Sequence, residues 1–172
     1  MTIALGMVLL ASLLAAASDV RTRRIPNALV GVLFVGGVAV NAFAGWKAAG
    51  IDVILVLALL PIGTVMFSFK LIGGGDVKLL AVAAGTLGYP LGVFFLLFTM
   101  MCGGIIALGY AALRGRLRTT FANIRALAHP LLSGVRPARP DGTPMPYALA
   151  IFAGALCTAL IHGVAPHVRL LQ

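Results

Sequence analysis

Four aspartates, Asp19, Asp52, Asp76 and Asp141, supply all the acid in this 172-residue chain. Thirteen Lys and Arg stand against them, leaving a formal charge of +9. Two carboxylates brought close together cannot both ionise cheaply, so such a pair shares a proton and titrates in separated steps. The ionised partner can take a proton from a water that attacks a peptide carbonyl. The protonated partner can donate to the carbonyl oxygen and later to the leaving amine. That chemistry needs neither metal nor cofactor. Which two aspartates could meet depends on the elements that carry them.

Those elements are apolar. The chain is 61% hydrophobic and 10% charged, with a mean hydropathy of +1.09, far from the surface composition of a soluble domain. The apolar residues fall in six blocks, near 2–18, 28–45, 51–69, 78–89, 91–113 and 147–165. Most are long enough to cross a hydrocarbon core of about 30 Å. The fourth is short and must cross a thinned region, start inside the preceding glycine run, or span only in part. No cation precedes the first block, whereas Arg21, Arg23 and Arg24 follow it. This is the charge order of an uncleaved span rather than of a signal peptide. All Lys and Arg except Lys47 and Arg169 fall in or beside 19–27, 70–77 and 114–146. The positive-inside rule therefore puts those loops on the cytoplasmic side and the N-terminus outside. The expected fold is all-α: a polytopic bundle of about six transmembrane helices forming a single domain over 1–172.

The cationic excess fits this topology and contact with anionic lipid at the cytoplasmic face, rather than nucleic acid. Within 114–146, Leu117, Phe121, Ile124, Leu127 or Ala128, and Leu131 recur at helical spacing with Arg118 and Arg125 between them. The pattern predicts a short basic amphipathic helix on the inner membrane surface. The stretch 136–146, rich in Pro and Gly, reads as a linker into the last span. Cys102 and Cys157 lie mid-way along apolar blocks with no CxxC spacing, and read as packing thiols. His129, His162 and His167 have no ligand-like spacing, so no metal site is expected.

An ionisable group in a span costs about 2.5–3.5 kcal/mol at mid-depth, so each aspartate needs a reason. Asp52 opens the third block on the outer side and reads as a helix cap or surface group. Asp141 sits in an Asp-Gly turn. Asp19 ends the first block and Asp76 begins the fourth, so both lie at the inner edge, 57 positions apart. They are the pair that could meet if those two spans pack together; separately, each could simply cap a helix. Gly73-Gly74-Gly75 precedes Asp76, and each glycine costs a helix roughly 1 kcal/mol relative to alanine. Such a run lets backbone approach a partner chain or bend where it lines a cavity.

Gly73-Gly74-Gly75-Asp76 matches the Gly-x-Gly-Asp motif of intramembrane aspartic proteases. Ser18-Asp-Val-Arg-Thr-Arg-Arg-Ile-Pro-Asn27 resembles the other half of the type IV prepilin peptidase pattern. Asp76-Val-Lys-Leu-Leu-Ala81 resembles the usual continuation of the second motif. Pro144-Met-Pro-Tyr-Ala-Leu-Ala-Ile-Phe152 is similar to that family's approach to its last span. The resemblance covers essentially the whole chain. It implies Asp19 and Asp76 as the catalytic pair, Gly73 and Gly75 as the motif glycines, and no cofactor. Arg21 and Lys78 match basic positions near each acid, where they either support the pair or anchor to head groups. Asn27 reads as a cap for the second span.

The paired CxxC region of the larger, bifunctional prepilin peptidases has no counterpart here, and methyltransferase activity is not expected. The chain is more similar to the short peptidases of Flp-type, tight-adherence pili. The implied partners are prepilins or pseudopilins, cleaved after a glycine that ends a short basic leader. The implied location is the bacterial inner membrane, with the site on the cytoplasmic side. Two other classes fit the same residues: a non-catalytic membrane component of a pilus or secretion apparatus, and a small transporter with an intramembrane Asp.

Overall fold

The computed structural model describes residues 2–68, 72–115 and 147–164, all of them helix or short connections. Among the described residues six helices run in the order α1 (Thr2–Thr22), α2 (Asn27–Ala44), α3 (Trp46–Ser68), α4 (Gly74–Leu87), α5 (Leu91–Leu113) and α6 (Ala148–Val164). Four of them, α1, α2, α3 and α5, are long and apolar enough to cross a membrane. At 17 residues α6 falls just short of that length. The short fourth block becomes a helix of 14 residues that begins inside the glycine run, a rod only ~21 Å long. The expected surface helix in 114–146, the Asp141 turn, His129 and His167 lie outside the described residues.

The shortest helix is the most enclosed. Val77, Leu79 and every residue from Ala81 to Leu87 are buried, because α1, α2, α3 and α5 all pack against α4. Its alanines keep that contact close. Gly37 of α2 lies so near Thr86 that a Cβ there would overlap the threonine side chain. A second seam joins α5 to α6, and α1 also packs on α6. Phe95, Leu91, Leu79, Val8 and Ile151 fill the centre. The outward faces of α2 and α3 stay apolar, with Phe43 94% and Trp46 87% exposed. Water would not leave such surface bare; lipid would. The outer α2 and α3 therefore turn apolar surface outward, while the short α4 is wrapped by protein.

Two positions differ from the sequence expectation. Asp52 is neither a cap nor a surface group. Gly45 ends α2 at φ 148, a conformation that favours glycine, and α3 restarts at Trp46, five residues earlier than its apolar block. Asp52 is therefore the seventh residue of α3, beyond the first turn, and is 3% exposed. It is paired instead with the Asn41 amide. Asn27 does not cap α2 either: Pro26 holds the cap position with no side-chain hydrogen bond. The Asn27 side-chain oxygen accepts a bond from the Lys78 ammonium at 3.3 Å.

Candidate active site: a carboxylate-lined pocket

Asp19 lies in the last turn of α1 and Asp76 in the first turn of α4. Antiparallel packing of the two helices brings these ends together. Both residues line one cavity of about 300 Å³, with Arg23, Arg24, Ile25, Asn27 and Gly73 to Gly75 completing the wall. The two carboxylates are near enough for the charge of one to act on the other.

The glycines shape this pocket through their missing side chains. Gly73 is the N-cap of α4 and Asp76 is its third helical residue, the position from which an acid can reach back to the N-cap backbone. Asp76 does so, with a backbone hydrogen bond from Gly73. A Cβ on Gly73 would sit 2.5 Å from Asp76 Oδ2, so only glycine leaves the carboxylate this pose. Gly75 faces Ile25, whose Cβ would be 3.2 Å from an added methyl. A Cβ added at Gly74 would meet the Phe67 ring at an ordinary 3.4 Å. The run is helical from Gly74 onwards, so it serves close approach rather than unwinding.

The α1–α2 turn forms the other wall. The Arg23 amide donates to the Asp19 carbonyl at 2.9 Å and closes α1. Arg23 adopts φ 53, a left-handed C-cap geometry that usually falls to glycine. Ser18 and Thr22 hydroxyls donate to the Arg24 carbonyl at 2.8 and 3.3 Å and hold the turn. Of the basic residues singled out in the sequence, Arg21 is exposed and does not line the cavity, and Lys78 reaches it only through Asn27. Arg23 and Arg24 are the pocket cations. Spacing alone could not separate them from Arg21, because the choice depends on how α1 terminates.

Tyr147 adds a polar group that went unassigned. It precedes α6, packs on the buried core, and lies within electrostatic reach of Asp76. Its place in the Pro-Tyr stretch was the available sign. Asp76 Oδ1 is buried without a hydrogen-bond partner among the described residues. A buried carboxylate oxygen in that position is completed by a shared proton, a water or a substrate group. No cluster of three His, Cys, Asp or Glu suited to a metal occurs among the described residues.

The helices and pocket define a multi-pass membrane protein with two aspartates lining one pocket at one end of its bundle. A family model described as the type IV leader peptidase family matches residues 6–108. The match covers more than half of the chain and includes both Asp19 and Asp76. The chain belongs to the type IV leader peptidase family. No curated protein and no solved structure gave a match.

Proposed function

We propose that this chain is an aspartic endopeptidase that removes the short basic leader from prepilin-like substrates, with Asp19 and Asp76 as its catalytic pair. The observation that carries the reading is that these two acids, on different helices and 57 positions apart, line a single pocket. One carboxylate is ionised and takes a proton from a water, whose oxygen bonds to the carbonyl carbon of the scissile peptide. The protonated partner gives its proton to the carbonyl oxygen, and a tetrahedral diol forms. Collapse of the diol breaks the C–N bond, and a proton passes to the nitrogen. The products are a leader ending in a carboxyl group and a mature chain with a free amine. The aspartates leave the cycle as they entered it.

The stretch Ser18 to Asn27, which resembles the prepilin peptidase pattern, supports Flp-type prepilins as substrates. The distribution of Lys and Arg supports an N-terminus outside, and a pocket at the cytoplasmic edge of the inner membrane, with anionic lipid against the basic loops. Cleavage of a co-expressed Flp-type prepilin tests the reading. Wild type and Lys47→Gln, an exposed position outside the pocket, shorten the prepilin. Asp19→Asn and Asp76→Asn, at equal membrane levels, do not. Continued cleavage by either Asn variant defeats the paired-carboxylate mechanism.

A further inference from the structure

Asp52 is a buried carboxylate that the proposed chemistry does not use. The Asn41 side-chain amide donates one hydrogen to the Asp52 carboxylate and the other to the Thr86 carbonyl at 3.0 Å. Both neighbours are acceptors, so the nitrogen of Asn41 must face them. Thr86 belongs to the last turn of α4, whose carbonyls have no partner within the helix. The Gly88 amide satisfies Ala84 and Gly85, and Asn41 satisfies Thr86. The second Asp52 oxygen lies against Gly88, 3.7 Å from where a Cβ would stand. One amide thus ties α2, α3 and the C-terminal end of α4 together, at the opposite end of α4 from Asp76.

Gly63 against Val77, Gly37 against Thr86 and Gly85 against Val56 seat α4 by close contact. Between them Ala81, Val82, Ala83 and Ala84 present small, similar side chains to the surrounding helices, and the Asn41 amide adds a directional polar tie to that apolar packing. A single buried polar contact is what fixes register in packed helices. Thr86 and Asp76 are ten residues apart on one helix, roughly 15 Å along its axis. A rigid helix carries any slip at Thr86 undiminished to Asp76, and a misplacement of about 1 Å at a reacting group costs on the order of 100-fold in rate.

We infer that Asn41 and Asp52 are positioning residues for the peptidase reaction, fixing the axial register of α4 and so holding Asp76 opposite Asp19. The inference rests on the paired-carboxylate reading. It is tested in a cysteine-free background (Cys102→Ser, Cys157→Ser) carrying Asp19→Cys and Asp76→Cys, by the rate at which the two introduced thiols form a disulfide under copper-phenanthroline oxidation. Replacing the polar pair with Asn41→Leu/Asp52→Leu keeps the protein folded, since apolar groups of similar volume substitute well for a buried polar pair. In that variant disulfide formation slows at least tenfold. In the otherwise native protein the same two substitutions lower kcat about 100-fold and leave KM within twofold. Asp52→Asn keeps an acceptor oxygen for Asn41 and stays within threefold of wild type in both readouts. Undiminished disulfide formation and kcat in the folded Leu/Leu variant overturn the inference and leave the paired-carboxylate reading standing. A full loss in folded Asp52→Asn overturns it as well, because charge rather than register would then be at work. Where the Leu/Leu variant does not accumulate, the crosslink is read in Asn41→Ala, and an unchanged rate there is equally fatal. Where the parent thiols do not crosslink, because a disulfide needs closer backbones than a carboxylate pair, the kcat of the Leu/Leu variant alone decides, and an unchanged kcat overturns the inference.

Discussion

Replacing Gly73 with alanine tests the geometry of the pocket more sharply than replacing an aspartate, because it leaves every reacting group in place. The new Cβ would stand 2.5 Å from Asp76 Oδ2. Restoring ordinary contact at ~3.4 Å moves the carboxylate by roughly 0.9 Å, and a shift of that size at a reacting group costs about 100-fold in rate. In free energy this is about 2.7 kcal/mol of transition-state stabilisation. The fold should feel far less. Gly73 has φ −69 and ψ 146, which alanine adopts freely, and Gly to Ala at an N-cap costs below about 1 kcal/mol. Gly74→Ala is the matched comparison: its Cβ meets only the Phe67 ring at 3.4 Å, and cleavage stays within threefold of wild type. Initial rates of prepilin cleavage by purified, reconstituted protein, with thermal unfolding alongside, measure both effects. Wild-type rates for folded Gly73→Ala refute the close-approach argument. An equal loss in Gly74→Ala refutes it differently, by showing that glycine flexibility matters rather than the space beside Asp76.

The α5–α6 seam should be intolerant of volume: a Cβ at Gly154 would lie 2.6 Å from the Thr99 Cα, backbone that cannot rotate away. Gly154→Ala should cost about 1–3 kcal/mol, read as a lowered unfolding midpoint in detergent. Cys102 and Cys157 lie near one another across the same seam. Copper-phenanthroline should join them within one chain, which thiol-reactive mass tags would read as the loss of two tags together. Cleavage rate against pH should be bell-shaped, since one carboxyl must be ionised and the other protonated. A rate that stays level into alkali would show that no shared proton is needed.

Much of this protein is set by its sequence alone. Six apolar blocks with cationic loops on one side compel a helical membrane bundle, because an unpaired backbone has no other way to satisfy its polar groups in lipid. Two acids at the ends of the first and fourth blocks are marked as a pair by topology before any contact is known. Side-chain environments were not legible in the same way. Asp52 reads as a cap because its apolar block starts at 51, yet α3 begins at Trp46, since helix length follows hydrogen bonding and not apolarity alone. Asn27 and Arg21 carry the expected residue types in the expected motif. Asn27 lines the pocket without capping α2, and beside the left-handed turn at Arg23 it is Arg23 and Arg24, not Arg21, that line it. The roles of Asn41 and Tyr147 depend on helices far apart in the chain. Periodicity and charge are local properties and report on local structure. Which buried carbonyl an amide must satisfy, and which carboxylate a phenol meets, exists only once the helices have packed.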